Sequence, residues 1–529
     1  MSGKVTIASK NTLFCKKENR LLSGSRSNRV RSSNQPYCFV KSDSEVGRSV
    51  SLSHVVRETQ FRPHGSAPKL EGDFNVLSDH AVRQGRLAPP RRFLGISNVF
   101  DVFHSRSLKT ILNAAAILSI SLLAFSCKNG PSPSVTPGGG SSVSGGRVML
   151  GIDVLEADQF AFLKGKRVGL ITNQTSVNGR GIRTRQVLHR DPRVNLVALF
   201  TPEHGLDGTE KAAAHISTRR DPLTGLTAHS LYGPTRKPST SMLRGVDVML
   251  FDLQDIGSRS YTYISTMVLA MEACGENGVQ FVVLDRPNPL GGNRINGPGI
   301  EKRWISFVGQ VPVPYVHGMT SGEIARMTNA KGWNKRRCNL VVVPMRGWNR
   351  GMNWENTGLH WIATSPNIPH THSPHYYAAT GIFGSLSGGD IGIGTNRPFE
   401  YIGGKGVNAR QLKSDFDSMN FSGVNFDTYQ STRKPGWAGV QLKINPNAQA
   451  DIVGLNVFFI DSINRRMTGS RDLFATTSSS SMNIFNKVYG SESIKSQLKS
   501  GVDPRKIVDS WRGYHAQFRS QRAPYLLYR

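Results

Sequence analysis

Four stretches of the chain are apolar without alternation, and each closes on polar residues. They are "RVGLITN" (167–173), "VNLVALF" (194–200), "VDVMLFDLQD" (246–255) and "VQFVVLDRPNPLGG" (279–292). Between them, "GIRTRQVLHRD" (181–191) has helical character, and "YTYISTMVLAMEACGENG" (261–278) reads as a helix stopped by Gly278. Strands that are apolar on both faces and alternate with helices predict a parallel sheet covered on both sides. The expected class is therefore α/β: a Rossmann-like parallel-sheet domain over 147–305, followed by a smaller α+β domain over 306–529.

Beyond 305 the pattern loosens. "GMTSGEIARMTNAKG" (318–332) predicts a helix capped by Thr320 or Ser321, with Glu323 in its first turn. "NLVVVPM" (339–345) predicts a strand. A loop-rich stretch follows with Trp348, Trp354 and Trp361, rings suited to stacking on sugar faces.

The polar residues fall in an informative place. Asn173, Glu203, Asp252, Asp255 and Asp285 each lie at or just past the C-terminal end of an expected strand. Open α/β sheets bind their ligands along that edge. In "LFTPEHGLDG" (199–208) a carboxylate and an imidazole, Glu203 and His204, leave the sheet together. Glu203 there suits a general acid or base, or a helix cap. "FDLQDIGSRSYTY" (251–263) gathers Asp252, Gln254, Asp255, Arg259, Tyr261 and Tyr263 into one strand end, loop and helix start. In "DRPNPLGG" (285–292) the prolines stiffen a loop that the glycines let turn; Asp285 and Arg286 there can hold a ligand.

The first part of the chain has a different texture. Residues 1–105 are rich in Ser and Arg with little periodicity, the mark of a disordered basic extension or of a start codon placed too early. Residues 106–127, ending "SISLLAFSC", carry Arg106 and Lys109, an apolar run and a small-residue end, the layout of an export signal. The ending resembles a bacterial lipoprotein signal with Cys127 as the lipidated residue. "KNGPSPSVTPGGGSSVSGG" (128–146) is a flexible tether. The expectation is an exported, membrane-anchored lipoprotein facing the periplasm or the cell exterior.

Charge changes the picture little. The chain has a formal net charge of +30, which invites a nucleic-acid partner. But residues 1–126 hold 19 Lys and Arg against 8 Asp and Glu, and the remaining excess is spread without a basic run. No nucleic-acid motif accompanies it, and no nucleic-acid partner is expected. The five cysteines show no CxxC pair, which argues against a zinc site. "HTHSPH" (370–375) groups three histidines with no carboxylate or thiol near in sequence, and no metal is expected there. "GGDIGIGTNRPF" (388–399) is not a dinucleotide fingerprint, and there is no P-loop, nucleophile elbow or HExxH.

Taken in order, "GIDVL" (151–155), "VGLITNQTSVN" (168–178), "LFTPEHGLDG", "SLYG" (230–233), "DVMLFDLQDIGSRSYTYISTM" (247–267), "VLDRPNPLGG" (283–292), "HGMTSGEIA" (317–325) and "PFEYIGG" (398–404) closely resemble the NamZ family of exo-β-N-acetylmuramidases, formerly a domain of unknown function. The resemblance covers about 148–529. It implies an active cleft between the two domains and release of terminal N-acetylmuramic acid from the non-reducing end of peptidoglycan fragments in cell-wall turnover, without metal or other cofactor. It makes Glu203 the catalytic acid. Asn173, His204, Asp252, Asp255, Arg259 and Tyr261 match motifs that line the cleft. The chain departs from the family where "ATGIFGSL" puts Ser385 in place of a frequent glutamate. Glycoside hydrolysis uses two carboxyls, and Asp255, or else Asp252, is the expected partner of Glu203. Arg259 is expected to grip the lactyl carboxylate of muramic acid, since a guanidinium binds a carboxylate through two bonds. A peptidoglycan-binding lipoprotein with impaired catalysis is the alternative that Ser385 supports.

Overall fold

The computed structural model describes residues 146–448, 450–466 and 472–529, together with the backbone of three short strands, Leu13–Lys16, Tyr37–Val40 and Ser49–Ser51. These three pair antiparallel within a unit of their own, 1–129. The extension expected to be featureless thus carries a small sheet, formed where "LFCK" and "YCFV" concentrate aromatic and apolar residues. The signal segment, Cys127 and most of the tether lie outside the described residues.

The larger unit is built on a seven-stranded sheet. Helix α1 (Gly151–Ala157) precedes strand β1 (Arg167–Thr172), and helix α2 (Thr184–Arg190) leads to β2 (Asn195–Thr201). Two short edge strands, β3 (Arg219–Arg220) and β4 (Thr227–Ser230), follow. Then come β5 (Val248–Asp252), helix α3 (Tyr263–Asn277), β6 (Gln280–Leu284), helix α4 (Ser321–Lys331) and β7 (Leu340–Val343). The spatial order is β7-β6-β5-β1-β2-β4-β3, parallel throughout except for β3. The chain builds outward from β1 in both directions, so the order reverses there. At such a switch point the loops diverge and leave a crevice at the carboxyl ends of the strands.

The unbroken apolar runs are explained by cover on both faces. Leu170, Leu199, Leu250 and Val282 point to one side, where they pack with Ile152, Leu155 and Leu188. Their neighbours Ile171, Phe200, Phe251 and Val283 point to the other and meet Ile264, Met267, Val268 and Met271 of α3. Each fully buried side chain of this size contributes roughly 1.5–3 kcal/mol. Helix α3 ends at Gly278, whose φ of 69° is the left-handed conformation that suits glycine. At the start of α4, Thr320 and Glu323 form the expected capping box.

The domain boundary expected at 305 does not hold. Strand β7 pairs with β6, Val341 opposite Val282, so the sheet of the first domain takes its last strand from 340–343. A long loop excursion separates β6 from β7, and its loss of periodicity resembles a boundary although the chain returns to the same sheet. Beyond helix α5 (Ser373–Thr380) lies an antiparallel sheet of β8 (Gly389–Asp390), β9 (Tyr401–Lys405), β10 (Val424–Gln430) and β11 (Trp437–Ile444), in the order β8-β9-β11-β10. Helices α6 (Ala409–Ser418) and α7 (Leu455–Arg466) cover it through Phe416, Phe426 and Phe459. The hydrophobic cluster under α3 continues without a break into Ile402, Val440 and Phe459.

Candidate active site

Strands β1, β2 and β5 are adjacent and in step: Ile171 is opposite Phe200, and Thr172 is opposite Asp252. The residues that follow them, Asn173, Glu203 and the 253–263 loop, therefore emerge together. Glu203 is 8% exposed. Its Oε1 accepts a hydrogen bond from the Ala213 N–H (2.8 Å) and its Oε2 accepts one from the Thr262 hydroxyl (2.6 Å). Thr262 is the N-cap residue of α3, yet its side chain makes no cap bond; it serves the carboxylate instead. The positive end of a fifteen-residue helix thus faces a negative group, a favourable arrangement. His204 and Gly205 both take positive φ, 69° and 76°, and turn the chain sharply after Glu203. The His204 Nδ1 sits 2.7 Å from the Glu210 carbonyl, so the imidazole secures the loop that brings Ala213 back to Glu203.

A wall of phenols stands beside the carboxylate. Asn173 donates to the Tyr263 hydroxyl (2.9 Å) and accepts from the Thr175 N–H and hydroxyl. Tyr263 donates to the Thr364 carbonyl (2.7 Å), and Tyr261 donates to the Thr364 hydroxyl (2.8 Å). The rings of Tyr261 and Tyr263 meet edge to face at 4.8 Å, and Tyr377 meets Tyr261 at 6.1 Å. Tyr377 is held through Ser260, whose hydroxyl also donates to Tyr315. Burial raises the Tyr377 phenol to about 12, and the charges of Glu203 and Asp255 both add to the rise. Tyr377 is thus within electrostatic reach of both carboxyls.

Asp255 is the second acid of this edge. One of its oxygens accepts from the Gly257 N–H (2.7 Å), and its Oδ1 has no hydrogen-bond partner among the described residues. Burial pushes its pKa up to about 7 against the pull of the Gly257 and Ile256 amides. Asp255 acts electrostatically on Tyr261 and Tyr377, and Glu203 on Tyr263 and Tyr377, so the two acids flank one cluster of phenols.

Three expected ligand contacts are corrected. Asp252 is fully buried and takes both arms of Arg286, at 2.5 and 2.9 Å, plus the Thr184 hydroxyl at 2.6 Å. It ties β5 to the next strand's loop and has no free oxygen for substrate. Arg259 is 2% exposed, and its two terminal nitrogens donate to the carbonyls of Pro298, Val313, Val488 and Tyr489. It anchors the C-terminal segment and cannot grip a carboxylate. Asp285 is fully buried and accepts from the Thr320 and Tyr528 hydroxyls, the Gly322 N–H and the Arg286 N–H. It fastens the chain terminus to α4.

Other expectations fare unevenly. Trp348 and Trp354 are buried and pack edge to face on Tyr528 and Trp361, so they serve the core rather than a sugar. In "HTHSPH", His370 stacks on His372, and His372 Nε2 lies 3.2 Å from Glu400, a carboxylate remote in sequence. His375 is buried, which pushes its imidazole down to about 3. Among the described residues no group of three or more His, Cys, Asp or Glu stands together as a metal site would. Ser385 lies on a single turn, Phe383–Ser385, with its hydroxyl 3.5 Å from the Gly381 carbonyl. Sequence reasoning missed Thr262, Thr364 and Tyr377. Thr262 reads only as the start of a helix, and Thr364 and Tyr377 come from a loop and a helix more than 100 residues downstream, with no local signal.

The comparisons with known proteins agree with this architecture. Residues 168–372 match the N-terminal domain model of the exo-β-N-acetylmuramidase NamZ, and residues 375–528 match its C-terminal domain model. The chain is 38% identical over 390 residues to the peptidoglycan β-N-acetylmuramidase NamZ of Bacillus subtilis (strain 168), covering 72% of this chain and 92% of that protein. Two crystal structures of DUF1343 family proteins from Bacteroides fragilis NCTC 9343 are similar. One has a TM-score of 0.68 at 40% identity, over 72% of this chain and 99% of its own; the other has 0.57 at 26%, over 73% and 99%. The two family models meet between residues 372 and 375, just where α5 begins and well past 305. With both halves matched in order and the strand-edge acids in place, the chain belongs to the NamZ exo-β-N-acetylmuramidase family.

Proposed function

We propose that this protein is an exo-acting glycosidase that removes terminal N-acetylmuramic acid from the non-reducing end of peptidoglycan fragments. The observation that carries the reading is Glu203: a carboxyl at the switch point, held by the Thr262 hydroxyl and the Ala213 N–H, with Asp255 acting on the same Tyr377 phenol. Hydrolysis of a glycosidic bond uses one carboxyl to protonate the leaving oxygen and another as nucleophile or base. Glu203 is assigned the first role and Asp255 the second. Burial raises Asp255 to about 7, so it is ionised, as a nucleophile or base must be, only above neutral pH. Tyr261 and the half-buried Tyr377 form the wall against which a sugar ring packs, and the fully buried Asn173 and Tyr263 support it from behind.

The substrate lies outside the cytoplasm, and the reading extends to an exported lipoprotein anchored through Cys127, with 128–146 as the tether. No helix among the described residues is long and apolar enough to cross a membrane. Globomycin-sensitive processing, or palmitate labelling lost in Cys127→Ala, tests the anchor.

The test of activity uses the purified protein with a chromogenic β-N-acetylmuramide, and the matching N-acetylglucosaminide as control. Release from the muramide alone, abolished in Glu203→Gln, is the expected result. Binding of muropeptides without any release would replace catalysis by the binding-only reading and point to Ser385 as the altered group.

A further inference from the structure

The burial of Arg259 leaves the carboxylate of muramic acid without its expected partner, and another arginine stands where one is needed. Leu231 at the end of β4 donates its N–H to the Thr201 carbonyl (2.9 Å), so Tyr232 leaves the sheet beside Pro202 and Glu203. The Tyr232 phenol is raised by burial and, next, by the charge of Glu203 beside it. Over this ring lies Arg236, its guanidinium carbon 4.0 Å from the ring centroid. Phe307 stands 4.2 Å from the same carbon, and the directions from that carbon to the two ring centres make about a right angle. The two rings are 5.8 Å apart and inclined at 55°, forming an aromatic notch around the cation.

Most of the neighbouring cations are committed. Arg183 donates to the Gln174 carbonyl, Arg185 pairs with Asp207 and Asp221, and Arg219 pairs with Asp207. Arg286 is locked to Asp252, and Lys237 is taken by Glu272 and Glu276. Arg236 is exposed and pairs with no carboxylate among the described residues. Stacking uses only the faces of a guanidinium. One N–H is turned to the Tyr232 hydroxyl, and the remaining in-plane N–H groups form the fork that matches a carboxylate. The aromatic contacts also hold the fork in one orientation before ligand arrives, which reduces the entropy lost on binding.

We propose that Arg236 is the specificity-determining residue of this enzyme, receiving the lactyl carboxylate that distinguishes N-acetylmuramic acid from N-acetylglucosamine. The inference rests on the muramidase reading and names the group that makes it selective. Arg236 stands one tyrosine side chain away from Glu203, the scale on which the ether substituent at C3 of a pyranose stands off from its anomeric carbon. Tyr232 links the two: it shields the catalytic carboxyl on one side and carries the cation on the other.

The experiment compares two chromogenic substrates, 4-nitrophenyl β-N-acetylmuramide and its lactyl methyl ester, in which one methyl group removes the carboxylate charge. For the full-length wild-type protein, kcat/KM favours the free acid. In Arg236→Met that preference falls by roughly 10- to 100-fold, the loss of a charged hydrogen-bonded contact, and Arg236→Lys restores part of it. Lys211→Met, on the exposed loop next to Ala213, keeps the wild-type preference. A preference that survives in Arg236→Met, or collapses in Lys211→Met instead, overturns the assignment of Arg236 while leaving the muramidase reading intact. A wild type that releases nitrophenol from neither substrate overturns the reading itself.

Discussion

Two neighbouring ends of the same sheet carry acids that look alike in sequence and behave differently in the fold. At the β6 end, Asp285 accepts from four donors and is spent on fastening Tyr528 and the α4 N-terminus. At the β5 end, Asp252 is likewise spent on Arg286 and Thr184. Three residues further along, Asp255 keeps an oxygen with no partner among the described residues, and across the switch point Glu203 is held by two donors only. A carboxylate whose lone pairs are all taken by protein is an anchor. One that is buried, oriented and incompletely satisfied is available for chemistry, because desolvation leaves its proton affinity adjustable. Position at a strand end marks both kinds, and the count of committed donors separates them.

The sharpest way to break that contrast is to swap charge for shape at each site. Glu203→Gln keeps the size and both partners of the side chain but removes the transferable proton. A drop of about 10³-fold in kcat/KM on the muramide is expected, with urea unfolding nearly unchanged; a large loss of stability instead would make Glu203 an anchor like Asp285. Asp252→Ala should do the reverse. It leaves the Arg286 guanidinium buried without its counter-ion, a loss of about 3–5 kcal/mol, read as a lower urea midpoint. If the variant is as stable as wild type and merely inactive, Asp252 belongs to the chemistry after all.

Much of this was legible from pattern. The apolar runs 167–173, 194–200, 246–255 and 279–285 gave the parallel sheet because both faces are covered, and "TSGE" gave the cap of α4 because Thr320 and Glu323 satisfy each other. The strand-end acids stood out for the same topological reason. What could not be read was which partner each would find. Arg259 looks like a ligand for a carboxylate until Val488 and Tyr489, some 230 residues on, arrive with their carbonyls. Asp252 and Arg286 meet across 34 residues, and Tyr377 joins the crevice through Ser260 from 117 residues away. The boundary at 305 failed similarly: a four-residue "LVVV" strand carries too little pattern to announce that it completes a sheet begun 170 residues earlier.

The buried acids also set the pH response, with a sign opposite to that of the buried histidines. The folded pKa of Asp255, about 7, lies above the ordinary carboxylate value, so the folded protein keeps a proton that the unfolded chain releases. The stability this contributes is fully present below about pH 4 and is lost as pH rises through 7. His317 and His375, both pushed down to about 3 by burial, act in the opposite sense: their contribution is present above pH 6.5 and lost as pH falls. The variant must therefore be compared with wild type at each pH. In Asp255→Asn the difference in unfolding free energy between wild type and variant should shift toward the variant by up to about 4 kcal/mol between pH 4 and pH 8. An unchanging difference would mean that Asp255 stays ionised. As nucleophile or base Asp255 must be ionised, so wild-type kcat/KM should rise with pH through about 7, and Asp255→Asn should lose most of its turnover.

The smallest effect tests the anchor by its outermost donor. Tyr528 donates to Asp285 (2.6 Å) and accepts from the Met345 N–H (3.0 Å), while its ring packs edge to face on Trp348 at 5.0 Å. Tyr528→Phe keeps the ring and deletes two hydrogen bonds, which is worth about 1–2 kcal/mol. The sign of its pH dependence is the informative part. Burial already raises Asp285 to about 6, and the Tyr528 hydroxyl is the strongest of the groups pulling it back down. Without that donor the folded pKa rises further, so the variant holds its proton to higher pH and loses more stability when forced to release it. The destabilisation should therefore be small at pH 5 and grow toward pH 8, with kcat/KM on the muramide unaltered while the protein remains folded. A loss of turnover without this pH-dependent loss of stability would move Asp285 from the anchors to the active site, and the donor count would no longer separate the two kinds of acid.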